Sequence, residues 1–192
     1  MMSVFVSSAK CSNCSSGARL FIPSLMACLL LLATSVSVAA DDPPPVVINE
    51  IMAANVSAYL SPDYAGFPDW IELYNADAES VDLSGSYLTD DLSDPTKWPI
   101  PFGTVIEPDG FLLVWADADK EAQNLHASFK LSQEGEAVGL FAPDGSLVDS
   151  LEFDAQLPDV SLGRWPDGND NWLYFGQPSP KGSKHSCSRT GR

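Results

Sequence analysis

The run DWIELYN at residues 69–75, followed by VDLSGSYLTDD at 81–91, KWPIPFGTVIEPDG at 97–110 and FLLVWAD at 111–117, decides the fold. In its first piece Trp70, Glu72 and Tyr74 alternate with Ile71 and Leu73. That period of two puts one set of side chains on each face of a strand, the signature of a half-buried strand. Gly, Pro and Asp separate the pieces, supplying turn geometry and ending each ladder.

Working outward, VVINEIM at residues 46–52 is rich in β-branched residues and short, as a strand is. Residues 55–68 carry Ser, Pro, Asp and Gly and form the longest early loop. Short strands are expected at 87–89, 98–100, 111–116, 161–165 and 171–175, with an edge candidate at 129–131. Residues 137–142 and 147–153 flank Pro143-Asp144-Gly145-Ser146 and form the clearest hairpin. Only residues 119–125 read even briefly as helix. About nine strands joined by turns, with no long amphipathic helix, make an all-β antiparallel sandwich the expected fold.

Five pieces in this order, VINEIMAAN at 47–55, DWIELYN at 69–75, VDLSGSYLTDD at 81–91, FKLSQEGEAVGLF at 129–141 and SLGRWPDG at 161–168, together with the closing PSPKG at 178–182, resemble the lamin-tail domain family. The resemblance covers roughly residues 46–182 and implies an immunoglobulin-like β-sandwich used as a carried module rather than as an enzyme. The chain lacks the rod and nuclear import cluster of the nuclear members, so filament assembly and chromatin binding do not carry over. It is more similar to the exported bacterial modules of the family.

Residues 1–40 read as a secretory signal peptide. Lys10 and Arg19 precede an apolar run at 20–33, and Val38 and Ala40 stand at the minus-three and minus-one places before Asp41. The rival reading, a retained membrane anchor, is weakened because a spanning helix needs roughly 18 to 20 continuous apolar residues. A lipoprotein start at Cys28 is weaker still, since the apolar run continues beyond it. The domain layout that follows is a signal at 1–40, a Pro-rich leader at 41–45, the sandwich at 46–182 and a disordered polar tail at 183–192. Secretion to the periplasm or medium, without membrane insertion after cleavage, is the expected localisation.

The chain carries 26 acidic against 10 basic residues, a formal charge of −16, and every acidic residue lies after residue 40. Such a surface repels nucleic acid and offers no basic stripe for counterion release. Of four cysteines only Cys187 lies beyond the signal, so the domain stands on its apolar core without an internal disulfide. Cys187 reads as an untethered thiol, with an intermolecular bridge as the alternative.

The residues after position 40 hold no nucleophile elbow, phosphate loop, zinc motif or paired-cysteine motif, and His126 and His185 are the only histidines. His126 near Ser128 reads as structural, because an aspartate beside a histidine is expected by chance in so acidic a chain. No catalytic residue and no cofactor are expected. Calcium is the one ligand the composition admits, through Asp90, Asp91 and Asp94, through Asp117 and Asp119 with Glu121, and through Asp167, Asn169, Asp170 and Asn171. The EF-hand spacing fails, because Ala122 and Trp172 stand where the turn glycine belongs, and solvated acidic turns are the competing account.

Glu50 and Glu72 interrupt otherwise apolar strands, and Arg164 is the one arginine between the signal and the tail. Two readings stand side by side: Arg164 bridges to Glu50 or Glu72 within the packing, or both glutamates lie on a solvated face. Trp165 and Trp172, beside the Asp167-Gly168 turn, are the candidate binding aromatics, while Trp70 and Trp115 read as core. Asn55-Val56-Ser57 is a glycosylation sequon for a eukaryotic host. The functional expectation is a secreted binding, adhesion or structural module meeting a protein or a cell-surface glycan. The alternative is an accessory module that positions a separately encoded exported hydrolase. Oligomeric state is not readable from the sequence.

Overall fold

The computed structural model describes residues 45–62, 66–119 and 125–184. The signal at 1–40, the leader up to residue 44, most of the helical turn expected at 119–125, Glu121, His185 and Cys187 lie outside the described residues.

Eleven strands appear among the described residues: β1 (Val46–Met52), β2 (Asp69–Asn75), β3 (Val81–Asp82), β4 (Tyr87–Thr89), β5 (Trp98–Pro99), β6 (Val105–Ile106), β7 (Phe111–Ala116), β8 (Gly135–Phe141), β9 (Leu147–Asp154), β10 (Ser161–Arg164) and β11 (Trp172–Phe175). They form a five-stranded sheet in the order β11-β10-β1-β2-β7, a four-stranded sheet in the order β5-β4-β8-β9 and a small β3-β6 ladder. Every strand pairing is antiparallel. The two-residue strands β3 and β6 are too short to show a period in the sequence. Residues 129–131 form no strand of their own; Lys130 only bridges to Asp117.

The alternation read for β2 holds side chain by side chain, but the strand is buried on both faces and not half-buried as expected. Ile71 and Leu73 enter the core with Ile48, Ile51, Val114 and Leu162 of the same sheet and Leu88, Val138, Leu140 and Leu151 of the other. Burying each such side chain contributes about 1.5–3 kcal/mol, so this layer is the main source of stability. The opposite face of the five-stranded sheet is covered as well. Met52, Trp70, Leu113 and Trp115 form a second cluster there, with Tyr59 packed on it. Tyr59 stacks on Trp115 at 5.8 Å and meets Trp70 edge-on at 6.4 Å.

The long loop that delivers Tyr59 is held by its own polar groups. Asn55 Nδ2 donates to the carbonyls of Tyr59 and Pro68, and Asp159 accepts from the amides of Val56, Ser57 and Ala58 and from the Ser57 hydroxyl. Both sequon side chains are therefore engaged in hydrogen bonds, Asn55 buried and Ser57 at the surface.

A bulge at Asn49 shifts the β1–β2 register. Ile48 pairs with Leu73, Glu50 pairs with Glu72, and Asn49 is the extra residue between them. The Ile48 amide, freed from the ladder, donates instead to Asp149 Oδ2 on the facing sheet at 2.7 Å.

Candidate functional site

Glu50 and Glu72 stand directly opposite each other on the outer face of the five-stranded sheet, both fully buried. Like charges so placed repel, and a desolvated pair needs a cation and donors. The cation is Lys184, whose Nζ lies 3.2 Å from Glu50 Oε2, 3.5 Å from Glu72 Oε1 and 3.1 Å from Asp167 Oδ1. Lys184 belongs to the segment assigned from sequence to a disordered tail at 183–192. It is instead buried in the domain.

The donors come from the same C-terminal segment and from the bulge. Glu50 accepts from the Ser161 hydroxyl at 2.5 Å and from the Ser179 amide and hydroxyl at 3.2 and 3.0 Å. Glu72 accepts from Asn49 Nδ2 at 2.9 Å and from the Lys181 amide at 2.6 Å. Asp167 accepts from Asn49 Nδ2, the Lys184 amide and the Ser183 hydroxyl. Residues 178–184 thus lie as a strap across β1 and β2.

Glu72 and Asp167 are shifted in opposite directions. Burial pushes Glu72 up to about 7, although Lys184 and Asn49 oppose it. Burial also works against ionised Asp167, but the hydrogen bonds from Asn49 and Lys184 and the Lys184 charge outweigh it and hold the group below the usual carboxylate range.

Neither reading of Arg164 survives as stated. Arg164 touches neither glutamate, and the glutamates are not solvated. Leu162 faces the core, so Arg164, two residues on, shares its inward side, whereas Glu50 and Glu72 point outward. Arg164 reaches across the sandwich to Asp149 at 3.0 and 3.1 Å, donates from Nε to the Ile48 carbonyl at 2.8 Å, and meets Asp170 at 2.9 Å. Its guanidinium lies over the Trp172 ring, 4.7 Å from the centroid.

The two candidate binding tryptophans therefore separate. Trp172 packs inward against the core and under Arg164. Trp165 lines an open groove of about 650 Å³ with Tyr174, Phe175 and Pro178, walled on one side by the strap. The rings of Trp165 and Phe175 lie 6.3 Å apart. Beside this groove β11 is the last strand of its sheet, with Leu173 42% and Tyr174 57% exposed.

The proposed calcium ligands are dispersed among other partners. Asp90 pairs with Lys97, and Asp91 accepts from the amide and hydroxyl of Ser93. The Asp94 amide donates to the Asp91 carbonyl, closing a turn. Asp117 bonds His126 Nδ1 at 2.8 Å and accepts from the Asp119 amide. Asp167 is taken by Lys184 and Asn49, Asp170 by Arg164, and Asn169 Oδ1 by the Asn171 amide. Among the described residues no group of three or more His, Cys, Asp or Glu is arranged to hold a metal ion. The Ser128 hydroxyl donates to the Lys97 carbonyl, so it makes no triad with His126.

A family model described as the Lamin Tail Domain matches residues 39–155. The chain belongs to the lamin tail domain family. No curated protein matches it. The matched stretch ends before β10 and β11, yet β10 pairs with β1 and β11 with β10, so this lamin tail domain is completed by residues beyond it. The family is one of immunoglobulin-like structural and binding modules. Among the described residues no helix is long and apolar enough to cross a membrane.

Lys184, Asn49, Ser161 and Ser179 were not singled out by sequence reasoning. The signal that points to Lys184 and Asn49 is Gly163, the one residue of SLGR with no side chain, where Lys184 crosses the sheet.

Proposed function

We propose that this lamin tail domain is an exported recognition module that works by contact, adding an extended segment of a partner protein along the edge of β11 that no strand among the described residues occupies. The observation that carries the reading is an edge strand with two exposed apolar side chains beside an aromatic groove. Unpaired edges of this kind template strand addition, and natural proteins usually blunt them with charge or proline. Residues 172–175 contain neither. The formal charge of −16 favours a segment carrying lysine or arginine, which the acidic surface would steer toward the edge. Export rests on the signal layout of residues 1–40.

An alternating valine–lysine peptide titrated into isotopically labelled protein is the direct probe. Shifts of the 172–175 amides that weaken with added salt, and that disappear in Tyr174→Lys at unchanged melting temperature, are expected. Peptide shifts spread evenly over both sheets, or β11 shifts produced instead by a soluble oligosaccharide, would exclude strand addition.

A further inference from the structure

Lys184 presents a primary amine, enclosed with its side chain 1% exposed, to three carboxyl groups whose side chains are 0%, 0% and 1% exposed. Among the described residues one cation stands among three acids in a site closed to bulk solvent, and this brings a nucleophile within contact distance of an electrophile. We propose that the folded chain joins Lys184 Nζ to Glu72 Cδ as an internal amide, fastening the C-terminal strap across the first sheet.

The surroundings distinguish the three carboxyls. Glu50 Oε2 lies 3.2 Å from Lys184 Nζ, within reach of the proton that the amine must lose. Asp167 is held ionised by Asn49 and Lys184. Glu72 is the acid that retains a proton near neutrality, and a protonated carboxyl is the form an amine attacks with water as leaving group. Its two oxygens already face donors, Asn49 Nδ2 on Oε1 and the Lys181 amide on Oε2, which would stabilise negative charge as it develops there.

The step balances without any outside reagent. The Lys184 ammonium gives one proton to the Glu50 carboxylate, and the neutral amine attacks Glu72 Cδ to form the new C–N bond. The second nitrogen proton passes by way of Asp167 Oδ1, 3.1 Å from Nζ, to the Glu72 hydroxyl, the C–O bond breaks, and one water departs. The first proton remains on Glu50. Holding the reactants together in a buried site supplies the effective concentration that such a condensation lacks in water. Gly163 contributes by leaving the sheet bare where Lys184 crosses; a β-carbon there would stand 2.9 Å from Lys184 Cε.

The test is the intact mass of the denatured full chain against the mass computed from its sequenced N-terminus. The expected result is a deficit of one water, a branched peptide joining Glu72 to Lys184 after digestion, and the full unmodified mass in Lys184→Arg. Glu50→Gln, which keeps the volume and removes the proton acceptor, should fold with the same circular dichroism and lack the bond. An undiminished mass in folded wild-type protein, or a branch at Glu50 or Asp167, would refute the assignment.

Discussion

Gly163 and Lys184 share one volume, because a β-carbon on Gly163 would stand 2.9 Å from Lys184 Cε, 3.1 Å from Glu50 Cγ and 3.2 Å from the Asn49 carbonyl oxygen. The closest of these contacts is to the Lys184 stem, so it is the strap that must give way. Gly163→Ala should therefore lift the strap off the sheet and cost about 1–3 kcal/mol, the usual range for overpacking. Chemical denaturation gives the stability. Acetylation mapping gives the position of the strap: Lys184, buried in the parent chain, should escape modification there and be modified in the variant. Equal stability and equal protection would show that the sheet tolerates the methyl group.

Arg164 carries the link between the sheets. Removing it leaves Asp149 in a half-dry pocket with its partner gone and the Ile48 carbonyl without its side-chain donor. Breaking a buried pair from one side costs about 3–5 kcal/mol, and that is the expected loss for Arg164→Ala. Arg164→Lys should recover only part of it, because a lysine cannot span Asp149, Asp170 and the Ile48 carbonyl at once. Urea midpoints of the two variants check this. An alanine variant within 0.5 kcal/mol of the parent, roughly the scatter of surface substitutions, would make the contact incidental.

Much of the architecture was legible because alternation is a strong signal. Ile71 and Leu73 read as one face of a strand and lie together in the core, and the Pro143-Asp144-Gly145-Ser146 turn read as a hairpin and joins β8 to β9. Parity along β10 was also readable: Leu162 marks the inward side, so Arg164 had to face Asp149 and not the outward glutamates. What composition hid is Lys184. A stretch of serine, glycine and lysine looks like a solvated tail, and only the tertiary placement of two opposed glutamates makes one of its lysines a core residue. Trp172 was misjudged for a related reason, since its neighbour in space, Arg164, lies across a strand pair.

Tyr59 closes the outer tryptophan cluster from a loop. Tyr59→Ala should expose Trp70 and Trp115 to water, shift tryptophan emission to the red and cost about 1–3 kcal/mol through lost stacking and area. The Asp159 contacts that anchor this loop remain, so the loss should be local. Emission unchanged from the parent would mean that other residues of 55–62 cover the indoles without Tyr59.

Stability should peak at mildly acidic pH, for reasons of opposite sign on either side. Burial raises Asp69 from 3.8 to about 6, against the opposing hydrogen bond from the Asn55 amide and the charge of Lys130. Between those values the folded chain holds a proton that the unfolded chain has released, so stability falls as pH rises from about 4 to about 6. Below 3.8 the balance reverses at Asp159, which the Ser57 hydroxyl and amide, with the amides of Val56 and Ala58, lower to about 2. The unfolded chain then binds the proton first, and stability is lost as pH falls toward that value. A free Glu72 carboxyl would extend the alkaline decline to about 7; an amide at that position removes it, so the decline should end near pH 6. Melting temperatures measured from pH 2 to 8 check the profile. Asp69→Asn should flatten its alkaline side, and a decline that persists unchanged in that variant would place the titrating group elsewhere.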